Sequence, residues 1–190
     1  MVCTGNICRS PVMERLLVAR LRERLSADDA ARFEVGSAGT WAMVGEAMSP
    51  EAVQTLVRLG GDAAGFVGRD LTVELIDADL VLTATREHRG HVVSEVPRAA
   101  SRTLTLLEFA RLLGPVTPAE IAQTAPSGDP VDRMRAIAAA AFANRGLVPI
   151  TDPADDDIAD PYRRDRAAYE RAAADIDAAL TVLLDLLFAR

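Results

Sequence analysis

Cys3-Thr4-Gly5-Asn6-Ile7-Cys8-Arg9-Ser10-Pro11 is the stretch from which the rest of the chain is best read. A cysteine is followed six residues later by an arginine, with glycine between and a helix start just after. Ser10 reads as the N-cap and Pro11 as the first helical position. In such a turn successive backbone N–H groups point inward, and the helix adds the positive end of its dipole, so the local product is an anion trap. Arg9 supplies a planar fork for two anionic oxygens. Gly5 lets the backbone approach a ligand, Asn6 is suited to bond across the loop, and Thr4, Ile7 and Cys8 complete the ring of amides. The same positive surroundings favour Cys3 as a thiolate, hence as a nucleophile, and place the Ser10 hydroxyl to stabilise that sulfur when it leaves. A Cys–Arg spacing alone is common; the whole string through Pro11 is specific.

Outward from this loop, the first helix runs to about Leu25 on Met13, Leu16, Leu17 and Leu21. Phe33 to Ser37 is the second strand candidate, and Ser49-Pro50 opens a helix ending at Gly60-Gly61. Leu80 to Ala84 is a continuous apolar run, the pattern of a strand buried on both faces. A helix over Arg86–Ser94, a strand over Arg102–Leu106 and a helix over Leu107–Leu113 follow. This alternation predicts an α/β fold, a doubly wound parallel sheet of about four strands with helices on both faces. Residues 114–150 then carry five of the ten prolines around an Ala-rich helix near Met134–Asn144. They read as an insertion or lid within one domain spanning 1–190. An acidic loop, Thr151–Tyr162, leads into a long amphipathic helix over Arg166–Phe188.

The chain of 190 residues is 49% hydrophobic, enough for one sizeable core, which excludes a disordered protein. Its net charge of −7 argues against broad attraction to nucleic acid or an anionic membrane. All 21 basic residues are arginine, a bias that reads as genome composition. Two cysteines are too few for a secreted disulfide framework, no leader pattern opens the chain, and Ala179–Ala189 is too short to span a bilayer. The expectation is a cytoplasmic protein, monomeric or weakly dimeric, without cofactor or metal.

The loop resembles that of the low-molecular-weight protein-tyrosine phosphatases, Cys-x-Gly-Asn-x-Cys-Arg-Ser-Pro, at every fixed position. The resemblance continues in Gly36-Ser37-Ala38-Gly39-Thr40, Arg86-Glu87-His88 and Asp160-Pro161-Tyr162, and leaves out about 114–150. It implies a three-layer flavodoxin-like fold with the ligand at the strands' carboxyl ends, and hydrolysis of phosphotyrosine in a protein substrate through a phosphocysteine intermediate without metal. Cys3 is then the nucleophile, Arg9 the phosphate fork and Asp160 the general acid, preferred over Asp152 because Tyr162 and the last helix follow it. Asp152, Asp155, Asp156 and Asp157 read as a solvated acidic loop, and His88 and His91 as surface histidines. Ser37 is either a brace for Asn6 or a turn serine. Trp41 is either core or, with Tyr162, the wall of an aryl slot. Cys8 is either a redox partner of Cys3 or an inert apolar residue.

Four departures stand out. Only Met1 and Val2 precede Cys3 where the family has a central apolar strand, so that strand is expected to be truncated. Thr83-Ala84-Thr85 replaces a Met-Asp pair, which puts a supporting polar contact in question. The 114–150 segment is expected either to restrict substrates or to bind a partner. Arg163 stands where many members carry a second tyrosine. Two other readings compete: an arsenate reductase of the same fold served by an external thiol, since no cysteine follows Cys8, and a catalytically silent phosphoprotein-binding module. Retention of Cys3, Arg9 and an Asp-Pro together argues against the latter.

Overall fold

Four short parallel strands organise the molecule, and the computed structural model describes residues 1–189. In chain order, β1 is Val2–Cys3, α1 Arg9–Arg24, α2 Ala27–Ala31, β2 Ala38–Gly39, α3 Pro50–Arg58 and α4 Val73–Ile76. Then come β3 Val81–Thr83, α5 Arg86–Glu95, β4 Thr103–Thr105 and α6 Leu106–Leu113. Last are α7 Pro118–Thr124, α8 Pro130–Ala143 and α9 Arg166–Phe188, with 3-10 turns at Pro97–Arg102 and Pro153–Asp156. The sheet order is β2-β1-β3-β4, in register Val2↔Ala38, Cys3↔Gly39, Val2↔Thr83 and Val81↔Thr103. The chain leaves β1 to one side for β2 and returns to the other side for β3. Such a reversal opens a crevice at the carboxyl end of the strand where it occurs, and Cys3 ends β1.

Alternation along the strands assigns the two faces. Val2 and Val81 pack with Ile76, Val92, Val96 and Ala99 under α4 and α5. Leu82 and Leu104 face a larger core from α1, α3, α6, α8 and α9, in which Leu16, Leu56 and Phe109 are wholly buried. Side chains of that size contribute about 1.5–3 kcal/mol each when removed from water. The long helix α9 has the predicted limits, with Asp165 accepting from Ala168 N at its start. No described helix is long and apolar enough to cross a membrane.

Two readings of the sequence need correction at this end of the fold. Helix α1 begins at Arg9, with Cys8 in the cap position and no side-chain cap bond; Ser10 lies inside it. Its hydroxyl is engaged by the preceding loop instead. The ladder of β2 holds only Ala38 and Gly39, because β1 offers just two residues to pair with; Phe33 and Val35 are extended chain packed on the core. A cavity of about 840 Å³ is lined by Met1, Phe33, Val35, Leu80 and Met134. The Met1 ammonium closes its near end by donating to Gly36 O at 2.7 Å.

Residues 114–150 also contain a helix the sequence reading missed, α7, besides α8, whose start lies four residues before Met134. Helix α8 packs on α6 and α9. Asp129 at its N-terminus takes Arg32 in a two-pronged pair at 2.6 and 3.0 Å, and Arg133 closes the last turn of α9 by donating to Leu186 O and Leu187 O. Arg145 donates to Ala100 O and Thr103 O. Arg32 and Thr103 mark the amino ends of β2 and β4, so α8 docks at the opposite end of the strands from Cys3, and not as a lid above it.

Candidate active site

The loop after β1 is held by its carbonyls. Cys3 O, Thr4 O, Gly5 O and Ile7 O accept from the backbone N–H groups of Thr40, Trp41, Met43 and Ser49 at 2.9–3.1 Å. With the carbonyls turned outward, the amides face the other way. Among the described residues, no acceptor is recorded for the backbone N–H groups of Gly5 to Arg9 or of Ser10. Uncapped amides at a helix start are a cradle for a tetrahedral anion. Gly39 makes the close packing possible, since a β-carbon there would overlap Thr4 O and Ala42.

Asn6 is the centre of the polar scaffold. It is fully buried with φ of 52°, the left-handed region that asparagine tolerates better than most residues. Its amide donates to Ser10 Oγ and Ser37 Oγ, both at 2.8 Å, and accepts from Arg69 N at 3.0 Å. Ser10 therefore receives one bond and can turn its own proton to Cys3 Sγ, 3.0 Å away, with Ala38 O at 3.5 Å the longer alternative. Ser37 in turn donates to Glu14 Oε2 at 2.6 Å. The chain of donors runs from Asn6 in both directions, toward the sulfur through Ser10 and toward a carboxylate through Ser37. Glu14, and Arg69 with its Nε on Ser37 O at 2.8 Å, belong to this scaffold although the sequence reading passed over them.

Arg9 joins the loop to the far end of the chain. Its guanidinium donates to Ile158 O at 2.9 Å and pairs with Asp160 Oδ2 at 3.1 Å, while Nε is buried and without a partner among the described residues. Asp160 is half-exposed, and its other oxygen accepts from Tyr162 N at 3.2 Å. Asp152, the rival acid, caps the 3-10 turn by accepting from Ala154 N at 2.9 Å.

Of the acidic stretch before Asp160, Asp152 and Asp155 are exposed as expected, but Asp156 and Asp157 are not simply solvated. Asp156 is buried and takes Arg111 in a two-pronged pair at 3.0 and 2.7 Å. Asp157 is bonded to Arg86, and Ile158, wholly buried, donates to Ala84 O at 2.8 Å. His88 is likewise not a surface residue. It is 6% exposed, with Nε2 2.9 Å from Thr4 Oγ1 and Nδ1 2.7 Å from Thr85 Oγ1. Burial, with Arg9 close by, lowers its pKa to about 4, so the ring is neutral near pH 7. Thr85, standing in the stretch that departs from Met-Asp, thus supplies a polar contact of its own and caps α5 as well.

Cys8 is buried, near Ser49 Oγ at 3.3 Å, and burial pushes its thiol up; neither cysteine is in a disulfide. Trp41 is 83% exposed beside Thr4, which removes the core alternative, and Tyr162 is 38% exposed. Thr4 and Gly5 lie at the rim, while Ile7 is buried against the core.

Comparison with known proteins points the same way. Residues 1–114 match the family model described as low molecular weight phosphotyrosine protein phosphatase. The chain is 36% identical over 104 residues to the low molecular weight protein-tyrosine-phosphatase Etp of Escherichia coli, covering 54% of this chain and 64% of Etp. It therefore spans less than two thirds of that relative. A protein-arginine-phosphatase of Geobacillus stearothermophilus is 35% identical over 136 residues, 71% of this chain and 82% of its own length. Among solved structures, the Erwinia amylovora tyrosine phosphatase AmsI superimposes with a TM-score of 0.65 at 25% identity, covering 97% of this chain and 88% of that one.

Proposed function

The chain belongs to the low molecular weight phosphotyrosine protein phosphatase family, and from that premise we propose that it hydrolyses phosphotyrosine in protein substrates through a phosphocysteine. One observation carries the reading: Cys3 Sγ, the free amides of its loop, Arg9 and the Asp160 carboxylate converge at the carboxyl end of β1. The phosphate enters the amide cradle with two oxygens on Arg9. Cys3 Sγ attacks phosphorus, and as the P–O bond breaks the aryl oxygen takes a proton from Asp160. In the second half-reaction the Asp160 carboxylate removes a proton from water, which attacks phosphorus. The sulfur leaves as a thiolate, stabilised by the Ser10 hydroxyl. Trp41 and Tyr162 offer exposed aromatic surface beside the mouth for the tyrosyl ring. The reading takes 1–190 as one domain with 114–150 as an insertion. A nucleophile of this kind must stay reduced, which suits the cytoplasm.

A second substrate, phosphoarginine, is favoured by the broader match to the protein-arginine-phosphatase of Geobacillus stearothermophilus. The same nucleophile would serve, with Asp160 protonating the departing guanidine nitrogen.

The test is hydrolysis of para-nitrophenyl phosphate, then of phosphotyrosine and phosphoarginine peptides, by wild type, Cys3→Ser, Asp160→Asn and Asp152→Asn. Expected are turnover by wild type, none by Cys3→Ser, and a loss of about 10²–10⁴-fold in Asp160→Asn but not in Asp152→Asn. A folded but inert wild type sinks the phosphatase reading, and turnover surviving Cys3→Ser sinks the mechanism. A preference for phosphoarginine replaces the substrate.

A further inference from the structure

Asp157 receives four contacts from one residue. Arg86 N reaches Oδ1 at 2.7 Å, Nε lies 3.3 and 3.2 Å from the two oxygens, and Nη2 meets Oδ2 at 3.0 Å. Arg86 is the first residue of α5, and Ala84, two residues before it, accepts from Ile158 N. In the same opening turn His88 reaches Thr4, the neighbour of Cys3. One helix turn therefore touches both the segment that holds the sulfur and the segment that holds the acid. Asp160 itself has few restraints: Arg9 on one oxygen and the Tyr162 amide on the other. Arg9 is also the residue a phosphate will engage. Once it does, the position of Asp160 depends on the anchoring of residues 156–158.

We propose that Arg86 is a positioning residue for Asp160: through Asp157 it fixes where the acid's carboxyl stands relative to the ester oxygen above Cys3. This rests on the phosphatase reading. The Arg86–Asp157 pair is half-exposed, so Asp157 left without Arg86 is still reached by water and the cost to the fold stays small. Its removal should therefore act on geometry, leaving the fold, the cradle and the nucleophile in place. A displaced acid matters only where the leaving oxygen needs a proton. Basic leaving groups such as phenolate need one as the P–O bond breaks; 2,4-dinitrophenolate departs without it.

The experiment measures kcat/KM, which reports the steps up to phosphocysteine formation, for aryl phosphates from 2,4-dinitrophenyl to phenyl. Arg86→Ala should lower the value for phenyl phosphate by about 10- to 100-fold, the scale on which small misplacements and lost proton transfer act. For 2,4-dinitrophenyl phosphate the loss should stay within about threefold, so the dependence on leaving-group basicity steepens. Arg86→Lys should recover part of the loss, because it keeps the charge without the fork. Competitive inhibition by inorganic phosphate should be unchanged, as the cradle is untouched. An equal loss across the series, or none, in a variant that still binds phosphate overturns the positioning role and leaves the phosphatase reading intact. A wild type inert toward every ester removes both.

Discussion

Replacing Asn6 by alanine should be among the most damaging single changes outside the hydrophobic core, and its size follows from the contacts. The side chain makes three hydrogen bonds in a buried setting, to Ser10, Ser37 and the Arg69 amide. Each carries a net value of about 1 kcal/mol, giving about 3 kcal/mol. Alanine must also hold φ at 52°, at a further cost of about 1–2 kcal/mol. The total is about 4–5 kcal/mol. In a chain of 190 residues, 1 kcal/mol moves the melting temperature by about 2–4 °C, so Asn6→Ala should melt about 8–20 °C lower. Asn6→Gly loses the same bonds without the steric cost but gains freedom when unfolded, about 0.5–1 kcal/mol. It should fall within about 1 kcal/mol of alanine. Circular dichroism melting with a parallel urea titration measures both, and inorganic phosphate should protect the variants less than wild type. A shift below about 3 °C for Asn6→Ala would refute the view that this side chain braces the loop.

Three further outcomes follow from the contacts. His88 has its pKa lowered from 6.5 to about 4, so the unfolded chain binds its proton first: the stability it contributes is complete above 6.5 and lost as pH falls toward 4. Between pH 7 and pH 4.5 the urea midpoint of wild type should fall more than that of His88→Gln, so that its lead over the variant shrinks; parallel curves would show that the ring is not held neutral. Arg111→Ala leaves the buried Asp156 carboxylate without its cation. Because Arg111 is partly wet, about 2 kcal/mol should be lost, short of the roughly 3–5 kcal/mol of a fully buried pair, and an unchanged urea midpoint would contradict the anchoring. Gly39→Ala pushes against Thr4 O, so it should cut aryl phosphate turnover by about 100-fold in a protein that still folds. Wild-type kinetics would show that the loop yields at no cost.

The sequence disclosed this site unevenly, for physical reasons. The Cys3–Pro11 loop stood out as a candidate because its residues are contiguous, and Asp160 was singled out because a proline and an aromatic residue follow it; the structure brings Asp160 against Arg9. The four-stranded parallel sheet was legible from the alternation of apolar runs, Leu80–Ala84 above all. The scaffold was not. Glu14 and Arg69 join it across 23 and 63 residues, and a polar residue in an ordinary position gives no sign of its distant partner. Asp156, Asp157 and His88 were misread for the converse reason: charge and helical polarity suggest water until folding brings Arg111, Arg86, Thr4 and Thr85 against them. The limits of β2 were missed because Phe33 and Val35 are apolar enough for a strand, yet pairing was decided by the two residues of β1.

The outward carbonyls of the Cys3 loop have a bearing on how such a protein can change. Their donors at positions 40, 41, 43 and 49 are backbone amides, so at those four positions the cradle is supported by the course of the neighbouring chain and not by its side chains. Trp41, Met43 and Val44 project outward from it with exposures of 83%, 41% and 61%. Mutational drift can rewrite that rim residue by residue without touching a single bond that shapes the anion site. Proline is the one substitution barred at the donor positions, since it alone lacks the amide. Recognition and chemistry sit side by side here, yet they are inherited as nearly independent traits.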